Sequence, residues 1–160
     1  MPLWIHIKVG KQQLQLIQDD TVVAQYPVCT AKNGVGEQMG SECTPRGWHY
    51  IRAKIGDGQP LNTVFVGRRP TGEIYSDALD DAHPKRDWIL TRIMWLCGLE
   101  PGKNRGGKVD TMRRYIYFHG SPPRRFNQRP SSHGCIGMLN DDLLALFERV
   151  PLYTKVLIEE

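Results

Sequence analysis

The first third of the chain alternates apolar and polar residues at the spacing of short β-strands. Segments 3–9 (LWIHIKV), 12–17 (QQLQLI) and 21–28 (TVVAQYPV) are alternating or β-branched, and turn-forming residues separate them. A Thr-Pro turn leads into a further strand at 48–54, and 62–68 (NTVFVGR) is another apolar run. The segment TKVLIE closes the chain as a last strand. This pattern predicts a sheet-dominated sandwich or barrel.

Two segments show helical spacing instead. Residues 87–97 place their large apolar side chains near one face, with Gly98 where a helix would stop. Residues 141–149 do the same behind Asn140, a predicted N-cap, and two aspartates occupy the first turn. We interpret both apolar faces as core. The expected fold is therefore mainly β with two or three helices.

The length and composition predict one soluble domain. A chain of 160 residues with 40% hydrophobic and 24% charged residues is long enough to bury a core. The polar, glycine-rich segment 100–114 is expected to be a long surface loop rather than a boundary, so 1–160 form a single unit. The four tryptophans are interpreted as packing residues rather than carbohydrate platforms. They are Trp4, Trp48, Trp88 and Trp95.

The charge and the start of the chain limit the partners. A formal net charge of +4, with mostly scattered basic residues, indicates a solvated mixed-charge surface, and we expect no nucleic-acid partner. No run approaches the ~20 apolar residues of a membrane span. The N-terminal segment lacks the features of a signal peptide, so the chain is expected to be cytosolic, a mature form, or exported by another route.

The four cysteines form no disulfide framework. Cys29, Cys43, Cys97 and Cys135 contain no C-x-x-C pair. If Cys135 stays a free thiol, at most one bridge remains among the others, and Cys29 to Cys43 is the candidate.

The stretch 117–142 concentrates the chemistry. It places His119, His133 and Cys135 close together, with a glycine after each histidine. The open alternatives are a metal site, a redox thiol, a nucleophile with its base, and an inert buried cysteine. A zinc site lacks the usual ligand spacing, and a redox thiol lacks a nearby resolving cysteine.

The neighbours of the cysteine favour a nucleophile. Tyr115, Tyr117 and His119 alternate along a predicted strand, so the histidine is expected at a rigid strand end. Gly134 and Gly137 flank the thiol, and small residues let backbone N–H groups approach a substrate carbonyl. An adjacent imidazole activates a thiol by taking its proton.

The sequence resembles the L,D-transpeptidase catalytic domain family (YkuD type). The resemblance is carried by the His-Gly pair at the end of IYFHG, a short gap, and then SSHGCIGM. The Thr-Pro-Arg-Gly strand start and the closing NDDLLALFERVPLYTKVLI also fit, so the resemblance covers nearly the whole chain. It implies the fold of that catalytic domain and action on peptidoglycan without a metal or organic cofactor.

The resemblance also implies residue roles. Cys135 would be the nucleophile, His119 the general base, and the Gly120 carbonyl would orient the imidazole. The reaction implied is cleavage of the diaminopimelate–D-Ala L,D bond through a thioester, followed by transfer to an amine. The resemblance further assigns the oxyanion site and its supporting loop to His133, Gly134 and Ser132.

One position departs from the family pattern. Gly137 stands where the family usually has arginine, two residues after the cysteine. We hypothesise that Arg124, Arg125 or Arg129 supplies the missing carboxylate partner, because a guanidinium pairs bidentately with a carboxylate.

Two other functions share the resemblance. Water instead of an amine would make the protein an L,D-carboxypeptidase or endopeptidase, and an inactive site would leave a wall-binding module. Peptidoglycan stem peptides are the expected partners, in the periplasm or cell wall, and the protein is expected to act as a monomer.

Overall fold

The computed structural model describes residues 3–160 and is built mostly from strands. The described residues form ten β-strands and three α-helices. In chain order these are β1 (Trp4–Lys8), β2 (Gln13–Gln18), β3 (Thr21–Pro27), β4 (Gly47–Ile55), β5 (Thr63–Val66), β6 (Arg69–Ile74), α1 (Asp77–Ala82), β7 (Ile89–Gly98), β8 (Tyr117–Gly120), α2 (Pro123–Phe126), β9 (Ile136–Met138), α3 (Asn140–Arg149) and β10 (Lys155–Glu159). The prediction of a mainly β fold with two or three helices is confirmed.

All ten strands belong to one mixed sheet. The main order is β3-β2-β1-β10-β4-β7-β5-β6, and β8 continues the sheet from β7 to β9. The last strand, β10, pairs in parallel with β1 and antiparallel with β4. Strands β1 and β10 therefore lie side by side inside the sheet. The pairs β7–β8 (antiparallel) and β8–β9 (parallel) position the functional residues described below.

The core lies between this sheet and the last helix. Alternate residues of β1 and β2 are buried, as the sequence pattern requires, and α3 packs across β7 and β8. Its buried face consists of Leu143, Leu146 and Phe147. Each of these apolar side chains stabilises the fold by about 1.5–3 kcal/mol on burial.

The predicted helix at 87–97 is wrong, because β7 occupies this segment. Residues 90–94 are all buried, because the two faces of the strand pack in different core clusters: Met94 lies in the main cluster, and Ile93 packs with Phe65 and Tyr117. The apolar residues of a strand buried on both faces need not alternate, and here their spacing also satisfies a helical template. Gly98 therefore ends a strand and not a helix.

The last helix is confirmed, but its start differs from the prediction. Leu139 is the N-cap and Asn140 is the first helical residue, without a side-chain cap. The Asn140 side chain instead accepts from Thr91 Oγ1 at 2.8 Å and donates to Asn62 Oδ1 at 2.6 Å. These tertiary hydrogen bonds compete with the local capping role that the sequence favours.

Several connections differ from the sequence expectation. The apolar run at 62–68 contains strand β5 and the turn that follows it. Strand β6, which comes next, was not predicted from the sequence. The strand carrying His119 begins at Tyr117, since Tyr115 adopts a positive φ of 57°. The segment 100–114 contains no β-strand, as expected for a loop, but Asn104 within it is fully buried.

The remaining expectations concern cysteines, tryptophans and the membrane. All four cysteines are free, so the Cys29–Cys43 bridge is not formed. Trp88 is buried, while the half-buried Trp4 and Trp48 hold their rings 5.5 Å apart. Within residues 3–160, no helix has the length and apolar character needed to cross a membrane.

Candidate active site

One cavity of about 330 Å³ brings together the residues singled out in the sequence. His119, Ser132, His133 and Cys135 all line it, although they come from a strand and from a loop that follows it. This volume lies at the lower end of the range for small-ligand sites.

His119 is held on a rigid strand. Its backbone pairs with Ile93 in β7 on one side and with Gly137 in β9 on the other. The residue is only 5% exposed, and Nδ1 lies 2.8 Å from the carbonyl oxygen of Gly120. A carbonyl can only accept, so Nδ1 carries the proton and Nε2 of the neutral ring presents a lone pair.

Cys135 directly precedes β9 and therefore lies beside the start of β8. The backbone N–H of Tyr117 donates to Sγ at 3.3 Å, and the thiol donates to the carbonyl of Tyr115 at 3.2 Å. The residue is half-buried and lines the cavity, so the strand holds the thiol at the cavity wall.

The electrostatics of the pair favour neutral groups at rest. Burial raises the pKa of the Cys135 thiol to about 12, and the negative charge of Asp87 adds to this; the Tyr117 N–H and the Arg114 charge oppose it. Burial lowers the pKa of His119, partly offset by Asp87 and the Gly120 carbonyl. Between these two pKa values the resting site holds a thiol and an imidazole, not an ion pair.

The pH dependence of thiol reactivity follows from this state. Alkylation of Cys135 by iodoacetamide in the free protein is expected to rise about tenfold per pH unit from pH 7 to 9, because the thiolate is the reactive form and its fraction grows towards pH 12. Peptide mapping by mass spectrometry separates Cys135 from the other three cysteines. A rate plateau at neutral pH would reveal a preformed thiolate and contradict the neutral pair.

The loop before the cysteine is stabilised by short-range hydrogen bonds. Ser132 Oγ donates to the carbonyl of Cys135 at 2.6 Å and accepts from the N–H of Gly134 at 3.2 Å. Gly134 has φ +127°, and a Cβ there would lie 3.1 Å from the Cys43 carbonyl oxygen. The close approach of that segment and the positive φ therefore require glycine.

The three arginines proposed from the sequence are held by other groups. Arg124 pairs with Asp77, Asp80 and Asp81. Arg125 lines the cavity, but its Nη2 lies 2.6 Å from an Asp80 carboxylate oxygen. These contacts tie α2 to α1 beside the cavity.

The third arginine lies elsewhere. Arg129 donates to the carbonyl of Phe126 and stacks over its ring at 4.5 Å, and it borders a separate surface hollow. Of the three, only Arg125 therefore borders the cavity that contains Cys135.

Gly137, which stands where the family pattern has arginine, borders the cavity as well. Gly137 exchanges two backbone hydrogen bonds of 2.8 Å with Cys29. A Cβ at Gly137 would lie 3.4 Å from Ser121 Cβ and 3.5 Å from Cys29 Cβ, which are ordinary contacts. The wall at this point is therefore formed by small side chains rather than by a cation.

Sequence reasoning missed four charged residues of the cavity, namely Lys85, Arg86, Asp87 and Arg114. Arg114 is half-buried and donates to the carbonyls of Gly36 and Cys43 and to Ser41 Oγ. Asp87 is exposed and lies just before β7. The Arg113–Arg114 pair was a visible signal, whereas Asp87 lay inside the segment predicted to be helical.

A metal centre finds no support in the geometry. Among residues 3–160, no three His, Cys, Asp or Glu side chains come together in a way that would hold a metal ion. The cavity instead presents a thiol and a neutral imidazole in the same wall.

Comparison with known proteins gives the family. The sequence matches the L,D-transpeptidase catalytic domain (YkuD) over residues 2–158. The chain therefore belongs to the L,D-transpeptidase catalytic domain family. No curated protein matches the chain at a significant level.

Solved structures show the same fold. An L,D-transpeptidase from Mycobacterium smegmatis is similar with a TM-score of 0.61 at 16% identity, over 99% of this chain and 59% of that one. L,D-transpeptidase 3 from Mycobacterium tuberculosis, solved with a faropenem-derived adduct, gives 0.59 at 12% identity, over 99% and 60%. Bd1075 from Bdellovibrio bacteriovorus gives 0.60 at 15% identity, over 98% and 47%. The chain thus spans about half to three-fifths of these proteins.

Proposed function

We propose that the protein is a cysteine-dependent L,D-transpeptidase acting on peptidoglycan tetrapeptide stems. The observation that carries this proposal is that Cys135 and His119 line one open cavity. The His119 ring has its proton on Nδ1, so Nε2 is free to accept one. Family membership supplies the substrate class, and the periplasm or cell wall is where such stems are found.

The first half-reaction forms a thioester. His119 takes the Cys135 proton through Nε2 as the sulfur attacks the diaminopimelate carbonyl carbon. The imidazolium then gives that proton to the D-Ala nitrogen, and the C–N bond breaks. Because the resting pair is neutral, proton transfer accompanies attack instead of preceding it.

The second half-reaction transfers the acyl group to an amine. The neutral imidazole accepts a proton from the attacking nitrogen, the C–S bond breaks, and the proton returns to the sulfur. The Gly120 carbonyl holds Nδ1–H throughout, which keeps Nε2 directed to the reacting atoms. Backbone and side-chain groups of Ser132–Cys135 are proposed to stabilise the oxyanion.

Purified protein with diaminopimelate-containing tetrapeptide muropeptides is expected to release D-Ala and form cross-linked dimers, detected by mass spectrometry. A carbapenem is expected to add its mass to the peptide containing Cys135. The Cys43→Ala variant is the matched control, since it removes another half-buried thiol outside the cavity and should react as the wild type does.

The same assay separates the alternatives. Tripeptides without dimers would identify an L,D-carboxypeptidase. If the protein forms no product and no carbapenem adduct, the enzymatic proposal is contradicted and a wall-binding module remains.

A further inference from the structure

The cavity has one negative side chain among several positive ones. Of the described residues that line it, Asp87 is the only acid, and four lining residues carry basic side chains. These cationic side chains are Lys85, Arg86, Arg114 and Arg125.

Two of the cations are already neutralised by carboxylates outside the cavity wall. Arg86 forms a bidentate pair with Glu73 at 2.8 and 3.1 Å, and Arg125 pairs with Asp80 at 2.6 Å. No ion pair of Asp87 occurs in the part of the chain that the structure describes. Its exposed carboxylate is therefore available to a cation entering the cavity.

The sheet places this carboxylate near the catalytic base. Asp87 lies two residues before β7, whose Leu90 pairs with Gly120, the residue after His119. Its charge raises the pKa of both His119 and Cys135. Asp87 thus acts on both members of the catalytic pair from the wall of the cavity they share.

We infer that Asp87 binds the ammonium group of the acyl acceptor and so favours an amine over water in resolving the thioester. The inference rests on the proposed function and assigns a residue to its second half-reaction. The acceptor of a transpeptidation is a cationic amine, whereas water gains nothing from a nearby carboxylate.

The step balances in protons and bonds. The bound ammonium loses one proton to solvent, and its nitrogen forms the C–N bond while the C–S bond breaks. His119 takes the second proton and passes it to the Cys135 sulfur. Asp87 stays ionised and contributes by concentrating and orienting the amine, so it is a positioning residue for the acceptor.

The test measures how the acyl-enzyme divides between amine and water. With tetrapeptide muropeptide as donor and acceptor, Asp87→Asn is expected to lower the ratio of dimer to tripeptide roughly three- to fivefold, the size expected for one solvent-accessible charge pair. Asp87→Glu is expected to restore most of the ratio. Asp20→Asn, an equal change of charge in the β2–β3 turn, is the control and should leave it unchanged.

An uncharged nucleophile separates charge from structure. Hydroxylamine is neutral at pH 7, so the ratio of hydroxamate to tripeptide formed from the thioester is expected to be equal in the wild type and Asp87→Asn. A loss of the same size with both nucleophiles, or an unchanged dimer-to-tripeptide ratio, would overturn the role of Asp87 while leaving the thioester chemistry intact. A wild-type protein that forms no thioester would overturn the proposed function and this inference together.

Discussion

Replacing Cys135 or His119 by alanine is expected to lower turnover of tetrapeptide muropeptides by at least ~10³-fold, because a nucleophile and its base act as one unit. The two variants fail at the same step. Without Cys135 no thioester forms, and without His119 the thiol, whose pKa is about 12, has no proton acceptor at neutral pH. The double variant should therefore be little worse than either single one. The measurement is kcat/KM for D-Ala release.

Matched controls separate this loss from a general effect of substitution. Cys43→Ala and His83→Ala remove the same side chains from positions outside the cavity and are expected to keep near wild-type activity. Alkaline conditions give a further check, since the thiolate fraction rises with pH. The His119→Ala variant should regain activity between pH 7 and 9 relative to the wild type, whereas Cys135→Ala should not. Two single losses that multiply in the double variant would show that the residues act independently.

The proposed catalytic pair was accessible from sequence because its residues lie close along the chain. His119 lies one residue before the end of β8 and Cys135 directly precedes β9, and the two strands pair directly in the sheet. A local motif therefore encodes the spatial neighbourhood. Asp87 and Arg114 join the same cavity through the pairing of β7 with β8 and the packing of a long loop, which no local pattern reveals.

The error at β7 has a related physical origin. Periodicity detects which face of an element is buried, and it therefore works for β1 and α3, each of which buries one face. The central strand is buried on both faces, so its pattern carries no information on the period. The Asn140 side chain likewise forms hydrogen bonds with Thr91 and Asn62, which come close to it only in the folded protein.

Gly120→Ala is expected to damage the site without touching the reacting atoms. A Cβ at Gly120 would overlap Asn140 Oδ1 and lie 2.7 Å from the Leu90 carbonyl oxygen. The Leu90 carbonyl is backbone within the sheet, so it has little freedom to move away, and β8 must shift relative to β7. We expect the free energy of unfolding to fall by about 1–3 kcal/mol, as for other overpacked core positions.

The same shift should move the His119 imidazole, the proposed general base. The Gly120 carbonyl accepts from His119 Nδ1, so displacement of this residue tilts the ring, and a misplacement of about 1 Å costs roughly 10²-fold in turnover. Urea unfolding and kcat/KM, measured where the variant is fully folded, separate the two effects. Gly10→Ala is the control, since its Cβ would meet nothing closer than 3.7 Å. Adding Asn140→Ala to Gly120→Ala should recover only part of the lost stability and activity, because the clash with the Leu90 carbonyl remains. Full activity in Gly120→Ala would contradict the positioning role of this glycine.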